Sequence, residues 1–153
     1  MCGIAGFTGE DRPEVIAQMI RIVAPRGPDG SGVYSANCVH FGHTRLAILD
    51  REGGAQPMSR DDGNITVSYN GEIYNYDELK DDIERAGYRL TTKCDTELIP
   101  LGYLAFGKNF FGKLRGMFAF ALHDRNRSKL YLVRDHLGIK PLFYSVIGSD
   151  IVF

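Results

Sequence analysis

Apolar residues fall along the chain in short runs separated by glycine, proline and aspartate, a rhythm of strands joined by tight loops. Gly3 to Phe7 reads as a short buried strand. From Glu14 to Ala24 the pattern turns helical, with Val15, Met19 and Ile22 beside Ile16, Ile20 and Val23, and Pro13 in the first turn, where a missing N–H costs little. Pro25-Arg26-Gly27-Pro28-Asp29-Gly30 is expected to stop that helix. Strands are expected at Val33 to Tyr34, Cys38 to Gly42, Leu46 to Leu49 and Ile65 to Tyr69, the last after the polar turn Asp61-Asp62-Gly63-Asn64. Asn75 with Glu78 three residues on has the form of a capping box; Leu79, Ile83 and Ala86 then share a helical face, and Gly87 stands where a C′ residue would. Asp95 is read as the N-cap of another helix reaching about Phe106. Inside it Pro100 would cost ~3 kcal/mol unless the helix starts a residue or two late. Met117 to His123, Leu130 to Arg134 and Leu142 to Ile147 close the chain as strands. The order of elements is α+β, with neighbouring strands antiparallel.

Composition narrows the function classes. With 153 residues, 44% hydrophobic, the chain is one domain able to bury a core without a disulfide or metal staple. Eighteen Lys and Arg against nineteen Asp and Glu leave no basic excess for nucleic acid or an anionic membrane, so neither is expected as a partner. The start Met1-Cys2-Gly3-Ile4 has no signal-peptide pattern and no window nears the ~20 apolar residues of a spanning helix, which points to the cytoplasm. Cys2, Cys38 and Cys94 form no Cys-x-x-Cys pair, and His40, His43, His123 and His136 have no His-x-x-x-His spacing, so no disulfide framework and no metal site is expected. A phosphate-binding loop and a Gly-x-Gly-x-x-Gly turn are both absent, which leaves no recognisable nucleotide cradle.

Several residues carry chemistry in one of two readings. Cys2 either packs as a small apolar group or, once the initiator Met is trimmed, offers a thiol together with an α-amine able to take its proton near neutral pH. Asn70-Gly71 is either a hairpin turn or a side-chain amide beside a backbone N–H, the two donors that would hold the oxyanion of a tetrahedral acyl intermediate. Arg45 could fork onto a substrate carboxylate or form an ordinary ion pair. Asp95 could meet a substrate ammonium group or cap its helix. Arg134 to Leu142 reads as a solvated loop or a domain-facing surface. Taken together, a terminal thiol, two donors, a cation and an anion are what hydrolysis of the side-chain amide of a free α-amino acid requires, and glutamine fits.

The sequence also resembles the glutaminase domain of the class II glutamine amidotransferases, in the asparagine synthetase branch. The matching stretches are Met1-Cys2-Gly3-Ile4, Arg26-Gly27-Pro28-Asp29, Arg45-Leu46-Ala47-Ile48, Gln56-Pro57, Asn70-Gly71-Glu72-Ile73-Tyr74-Asn75, Asp95-Thr96-Glu97, Gly116 to Ala121 and Arg134-Asp135 through Pro141, in the family's order and across the whole chain. The resemblance implies an N-terminal-nucleophile hydrolase fold, an αββα sandwich of two stacked antiparallel sheets between helical layers. It implies Cys2 as nucleophile with its own amine as base, Asn70 and Gly71 as oxyanion hole, Arg45 on the glutamine α-carboxylate, and Asp95 and Glu72 at its α-amino end. Backbone groups of Leu46, Ile48 and Leu49 would line the pocket.

Three positions depart from the family pattern: Pro25 stands where many relatives have histidine, Cys94 where a small or hydroxyl residue is commoner, and Pro100 lies inside the helix that follows Asp95. The loop from Arg26 to Gly32 is expected to lack the neighbour that would order it. By the same resemblance no cofactor belongs to this domain, whereas ATP and Mg would serve a C-terminal synthetase domain, in cis or in trans, that receives the ammonia. The resemblance leaves room for a homodimer. Two other functions compete with this one: a catalytically silent glutamine-binding or docking module, and the glutaminase domain of another class II amidotransferase.

Overall fold

A computed structural model describes residues 1–47 and 53–153. Along the chain run β1 (Gly3–Thr8), α1 (Pro13–Val23), β2 (Gly30–Ala36), β3 (Val39–Arg45), β4 (Met58–Arg60), β5 (Ile65–Ile73), α2 (Tyr76–Arg85), α3 (Leu98–Phe106), β6 (Gly116–Asp124), β7 (Lys129–Arg134), β8 (Ser145–Ile147) and β9 (Asp150–Val152). Shorter 3-10 turns cover Ala24–Arg26, Asp95–Glu97 and Gly107–Lys113. Two sheets form, one in the order β2-β3-β1-β9-β8 and one in the order β4-β5-β6-β7, with antiparallel neighbours throughout.

Alternation along the strands decides how the layers stack. Ile65, Val67, Tyr69 and Ile73 of β5, with Phe118, Phe120 and Leu122 of β6, join one buried cluster with Leu79 and Ile83 of α2 and Leu98, Ile99 and Leu101 of α3. The intervening residues face the other sheet. Ser68 of β5 bonds His43 Nδ1 of β3 at 3.1 Å, and His123 Nδ1 of β6 lies 2.8 Å from the Tyr34 hydroxyl of β2. Burial, aided by the Arg45 charge, pushes His43 down to about 3, and burial also lowers His123, so both rings stay neutral between the sheets. On the far face of the first sheet, Ile16 and Ile20 of α1 are buried. The result is the expected αββα sandwich. Among the described residues no helix is long and apolar enough to cross a membrane.

The α-helix stops ahead of Pro25, at Val23, as expected, and the chain then tightens into one 3-10 turn, closed by Gly27 N–H donating to Ala24 O at 3.1 Å; proline fits because the first residues of a turn need no N–H. Several local expectations are corrected. No strand forms at Leu46 or Ala47, while Ile48 and Leu49 lie outside the described residues. Asn75 makes no capping box, since its amide instead donates to Lys113 O (3.1 Å) and accepts from Arg115 N–H (2.9 Å), tying α2 to the approach to β6. Of the strand expected over Leu142 to Ile147 only Ser145–Ile147 forms, and it turns back through Gly148 (φ 64°) into the unforeseen β9. Gly148-Ser149 between apolar residues was the available hairpin signal.

Gly42 sets how closely α1 approaches the first sheet, because a Cβ there would collide with the Ile20 side chain. Gly42→Ala should lower stability in urea by ~1–3 kcal/mol, and adding Ile20→Ala should cost less than the sum of the two single changes. Strict additivity in that cycle would show that the contact does not set the spacing.

Candidate active site

The same alternation delivers the candidate residues to one end of the inter-sheet layer. On β3, His43 faces the second sheet and Arg45 is the next residue in that series; on β5, Ser68 is followed by Asn70 and Glu72. Gly3 lies opposite Thr44, so Cys2 meets the chain where β3 ends. There the Leu46 N–H donates to Cys2 Sγ at 3.4 Å and the thiol faces Leu46 O at 3.8 Å. Arg26 Nε donates to Cys2 O at 3.1 Å. The loop from Arg26 to Gly32, expected to lack an ordering neighbour, is tied to β3 instead. Asp29 N–H donates to Arg45 O (2.9 Å), Ala47 N–H donates to Asp29 Oδ2 (2.8 Å), and β2 begins at Gly30.

Asn70 and Gly71 form no turn. They lie within β5, opposite Ala119 and Phe118, because pairing with β6 continues to Ile73 opposite Gly116 and overrides the local preference of Asn-Gly. Gly71 serves close approach: a Cβ there would strike Met117 O and the Phe118 backbone and Cβ.

Asp95 is not a helix cap either. The turn Asp95–Glu97 precedes α3, whose start at Leu98 leaves Pro100 in the first turn, where no N–H is needed. The Asp95 carboxylate crosses to β5, accepting the Tyr69 hydroxyl at 2.7 Å and the Ile73 N–H at 3.0 Å. Burial raises its pKa and these donors oppose the rise. Cys94 beside it is buried, which raises its thiol pKa, and donates to Thr96 Oγ1 at 3.1 Å.

Glu97 fastens this segment. Fully buried, it accepts Arg60 Nη2 (2.6 Å) and Nε (3.1 Å), the Thr91 N–H (2.9 Å), and the N–H (2.7 Å) and hydroxyl (2.6 Å) of Thr92. Burial works against its charge, yet the donors hold it down to about 2. Gln56 acts on the other side. Its amide donates to Tyr69 O (3.1 Å) and accepts the Tyr69 N–H (2.7 Å), so a side chain supplies one more rung beyond β4.

Between these segments lies a cavity of about 160 Å³, the liquid volume of roughly five waters. Cys2, Arg45, Leu46, Asn70, Gly71, Glu72 and Asp95 all line it. Ile48 and Leu49 fall outside the described residues. Gln56, Tyr69 and Lys140 also line the cavity, and no role was read for them in the sequence. Tyr69 was the most accessible of these omissions, because a core-facing tyrosine needs a partner for its hydroxyl. Burial and then the nearby Asp95 charge raise the Glu72 pKa, with Lys140 opposing. A thiol at one end, a guanidinium, two carboxylates and a side-chain amide suit a small zwitterion rather than a polymer.

The segment Arg134 to Leu142 divides its roles. Leu137 and Ile139 are exposed, but Asp135 and Lys140 are buried, contrary to a wholly solvated loop. The Asp135 carboxylate collects the N–H groups of Phe118 (3.1 Å), Leu137 (3.1 Å), Ile139 (2.9 Å) and Lys140 (2.9 Å). These outweigh the effect of burial and hold it down to about 2.

A family described as the glutamine amidotransferase domain matches residues 1–153. The chain is 41% identical to asparagine synthetase [glutamine-hydrolyzing] 1 of Bacillus subtilis, over all of this chain and 25% of that protein. It is 39% identical to asparagine synthetase B [glutamine-hydrolyzing] of Escherichia coli, over 82% of this chain and 23% of that one. The chain thus spans about a quarter of the length of these curated relatives. In fold it resembles the glutamine phosphoribosylpyrophosphate amidotransferase of B. subtilis, with a TM-score of 0.84 and 20% identity, over 99% of this chain and 41% of that one.

Glu97→Gln should lower stability by about 3 kcal/mol, because Arg60 and the Thr91-Thr92 donors lose a buried charged acceptor. With the folded pKa held near 2, the wild-type advantage should be full above the ordinary glutamate range and shrink as pH falls toward 2. A gap between the two urea curves that does not change with pH would contradict this role.

Proposed function

The chain belongs to the glutamine amidotransferase domain family, and from that membership and the make-up of the cavity we propose that it hydrolyses glutamine to glutamate and ammonia through a γ-glutamyl thioester on Cys2. The observation that carries the reading is that the Cys2 thiol, the Arg45 guanidinium, the Asn70 amide and the Glu72 and Asp95 carboxylates line one small cavity.

In this reading the substrate α-carboxylate takes the Arg45 fork and the α-ammonium group lies between Asp95 and Glu72, which sets the γ-amide at the thiol. Removal of Met1 frees the Cys2 α-amine, which takes the thiol proton as sulfur attacks the amide carbon. Charge then developing on the carbonyl oxygen is met by the Asn70 amide and the Gly71 N–H. The amine returns the proton to the departing nitrogen, ammonia leaves, and water cleaves the thioester to glutamate with the same amine as base. The Leu46 peptide, already against the sulfur, backs the nucleophile. Backbone groups of Ile48 and Leu49 would complete the wall.

The ammonia is proposed to pass to a synthetase domain of the same polypeptide that uses ATP and Mg to make an amide, a reading supported by relatives about four times as long as this chain. The exposed side chains of Leu137, Ile139, Phe143, Tyr144, Val146 and Ile147 are the surface assigned to that domain.

Two experiments test the chemistry. Protein lacking Met1 should gain one label on Cys2 from a glutamine-like diazoketone, and Cys2→Ala, or a tag left ahead of Cys2, should abolish glutamine hydrolysis with the fold intact by circular dichroism. Undiminished turnover by tagged protein would rule out the N-terminal amine as base. Steady-state kinetics should then separate Arg45→Ala, which mainly raises KM through a lost pair worth ~1.5–3 kcal/mol, from Asn70→Ala, which mainly lowers kcat by ~2.7–4 kcal/mol. An Asn70→Ala effect on KM alone would remove Asn70 from the oxyanion hole.

A further inference from the structure

Lys140 is held in the cavity by more structure than a surface lysine requires. The residue is 7% exposed, and among the described residues its ammonium makes one hydrogen bond, to the thioether of Met1 at 3.1 Å, a weak acceptor for a full charge. The backbone that presents it is fixed on both sides. Lys140 N–H donates to Asp135 Oδ2 (2.9 Å), Lys140 O accepts Arg134 Nε (3.1 Å), and Arg134 Nη2 also donates to Gly138 O (2.6 Å). Gly138 has φ 67°, a conformation suited to glycine, and a Cβ there would strike the Arg134 guanidinium. The same Asp135 carboxylate accepts the N–H of Phe118, next to Met117, which lies opposite Glu72 in the β5–β6 ladder. The anchor of Lys140 is thus built onto the strand beside Glu72, and both side chains line the cavity.

We propose that Lys140 is a positioning residue for the glutaminase reaction, the cation that keeps Glu72 charged and in place beside Asp95 to receive the substrate α-ammonium group. The proposal rests on the glutamine-hydrolysing reading above. Two carboxylates in one small cavity repel each other, and each cation taken from beside them makes it easier for one to take up a proton and lose its attraction for an ammonium group. The charged and titratable groups that line the cavity with Glu72 are Asp95 and Cys94 just before it, Arg45 from β3, Tyr69 from β5 itself, Met1 and Cys2 ahead of β1, and Lys140. Burial and then the Asp95 charge raise the Glu72 pKa, and Lys140 lowers it. Trimming of Met1 would take away the thioether and leave the ammonium to the carboxylates.

The test is the titration of the Glu72 carboxyl, followed by NMR on isotope-labelled glutamate side chains in the wild type, Lys140→Met and Lys140→Arg. The midpoint should rise by about one pH unit in Lys140→Met and return in Lys140→Arg. In kinetics the acid limb of kcat/KM should move to higher pH in step with it, with kcat at saturating glutamine changed by less than about twofold, and Lys140→Met should add little further loss to Glu72→Gln. An unmoved Glu72 midpoint, or a lysine effect on kcat that is independent of Glu72, would overturn the proposal. The NMR arm needs no turnover, so protein that hydrolyses no glutamine would refute the glutaminase reading and still leave the titration to decide the role of Lys140.

Discussion

Pairing of β5 with β6, unbroken from Ile65 opposite Asp124 to Ile73 opposite Gly116, fixes both the core and the site, because successive side chains on these two strands point to opposite layers. Phe118, Phe120 and Leu122, each worth about 1.5–3 kcal/mol when fully buried, go to the helical side with Val67 and Tyr69. Asn70 and Glu72 go to the other, and a slip of one residue would exchange them. The ladder also supplies attachment points. Asp95 is secured by Ile73 N–H and the Tyr69 hydroxyl, and Asp135 by Phe118 N–H.

Buried carboxylates do the remaining fastening. Glu97 gathers Arg60 and two threonines, and Asp135 gathers four backbone N–H groups, so two irregular segments become rigid by converging donors on one oxygen pair. Desolvation of the carboxylates is offset only while every donor stays in place, which ties the shape of the cavity to these two anions. Gln56 achieves a similar end with a neutral amide, since its one donor and one acceptor match the Tyr69 peptide.

What was legible in the sequence was periodic or motif-borne. The stripe of α1, the alternation of β5 and β6, the C′ role of Gly87 and the late start that accommodates Pro100 all followed from spacing. The candidate residues Cys2, Arg45, Asn70, Gly71, Glu72 and Asp95 were legible through motifs, and they line one cavity. Three of the errors share a physical cause. Asn70-Gly71, Asn75 and Asp95 each have a strong local habit as turn or cap, and in each case a partner more than twenty residues away in sequence claims the backbone or the side chain instead. Lys140 escaped notice for a related reason: its burial depends on a carboxylate that also grips Phe118, and a loop that looks solvated in sequence is closed by that long-range bond.

The first sheet ends on β8, a strand of three exposed residues paired on one side to β9, with Val146 and Ile147 among the exposed apolar side chains. An open edge of this kind carries neither a lysine nor a proline to deter another strand, so its free N–H and C=O groups are a template for intermolecular β-pairing. In the domain on its own this edge is one of four sheet ends, with β2, β4 and β7, and pairing of copies through any of them would rise with concentration.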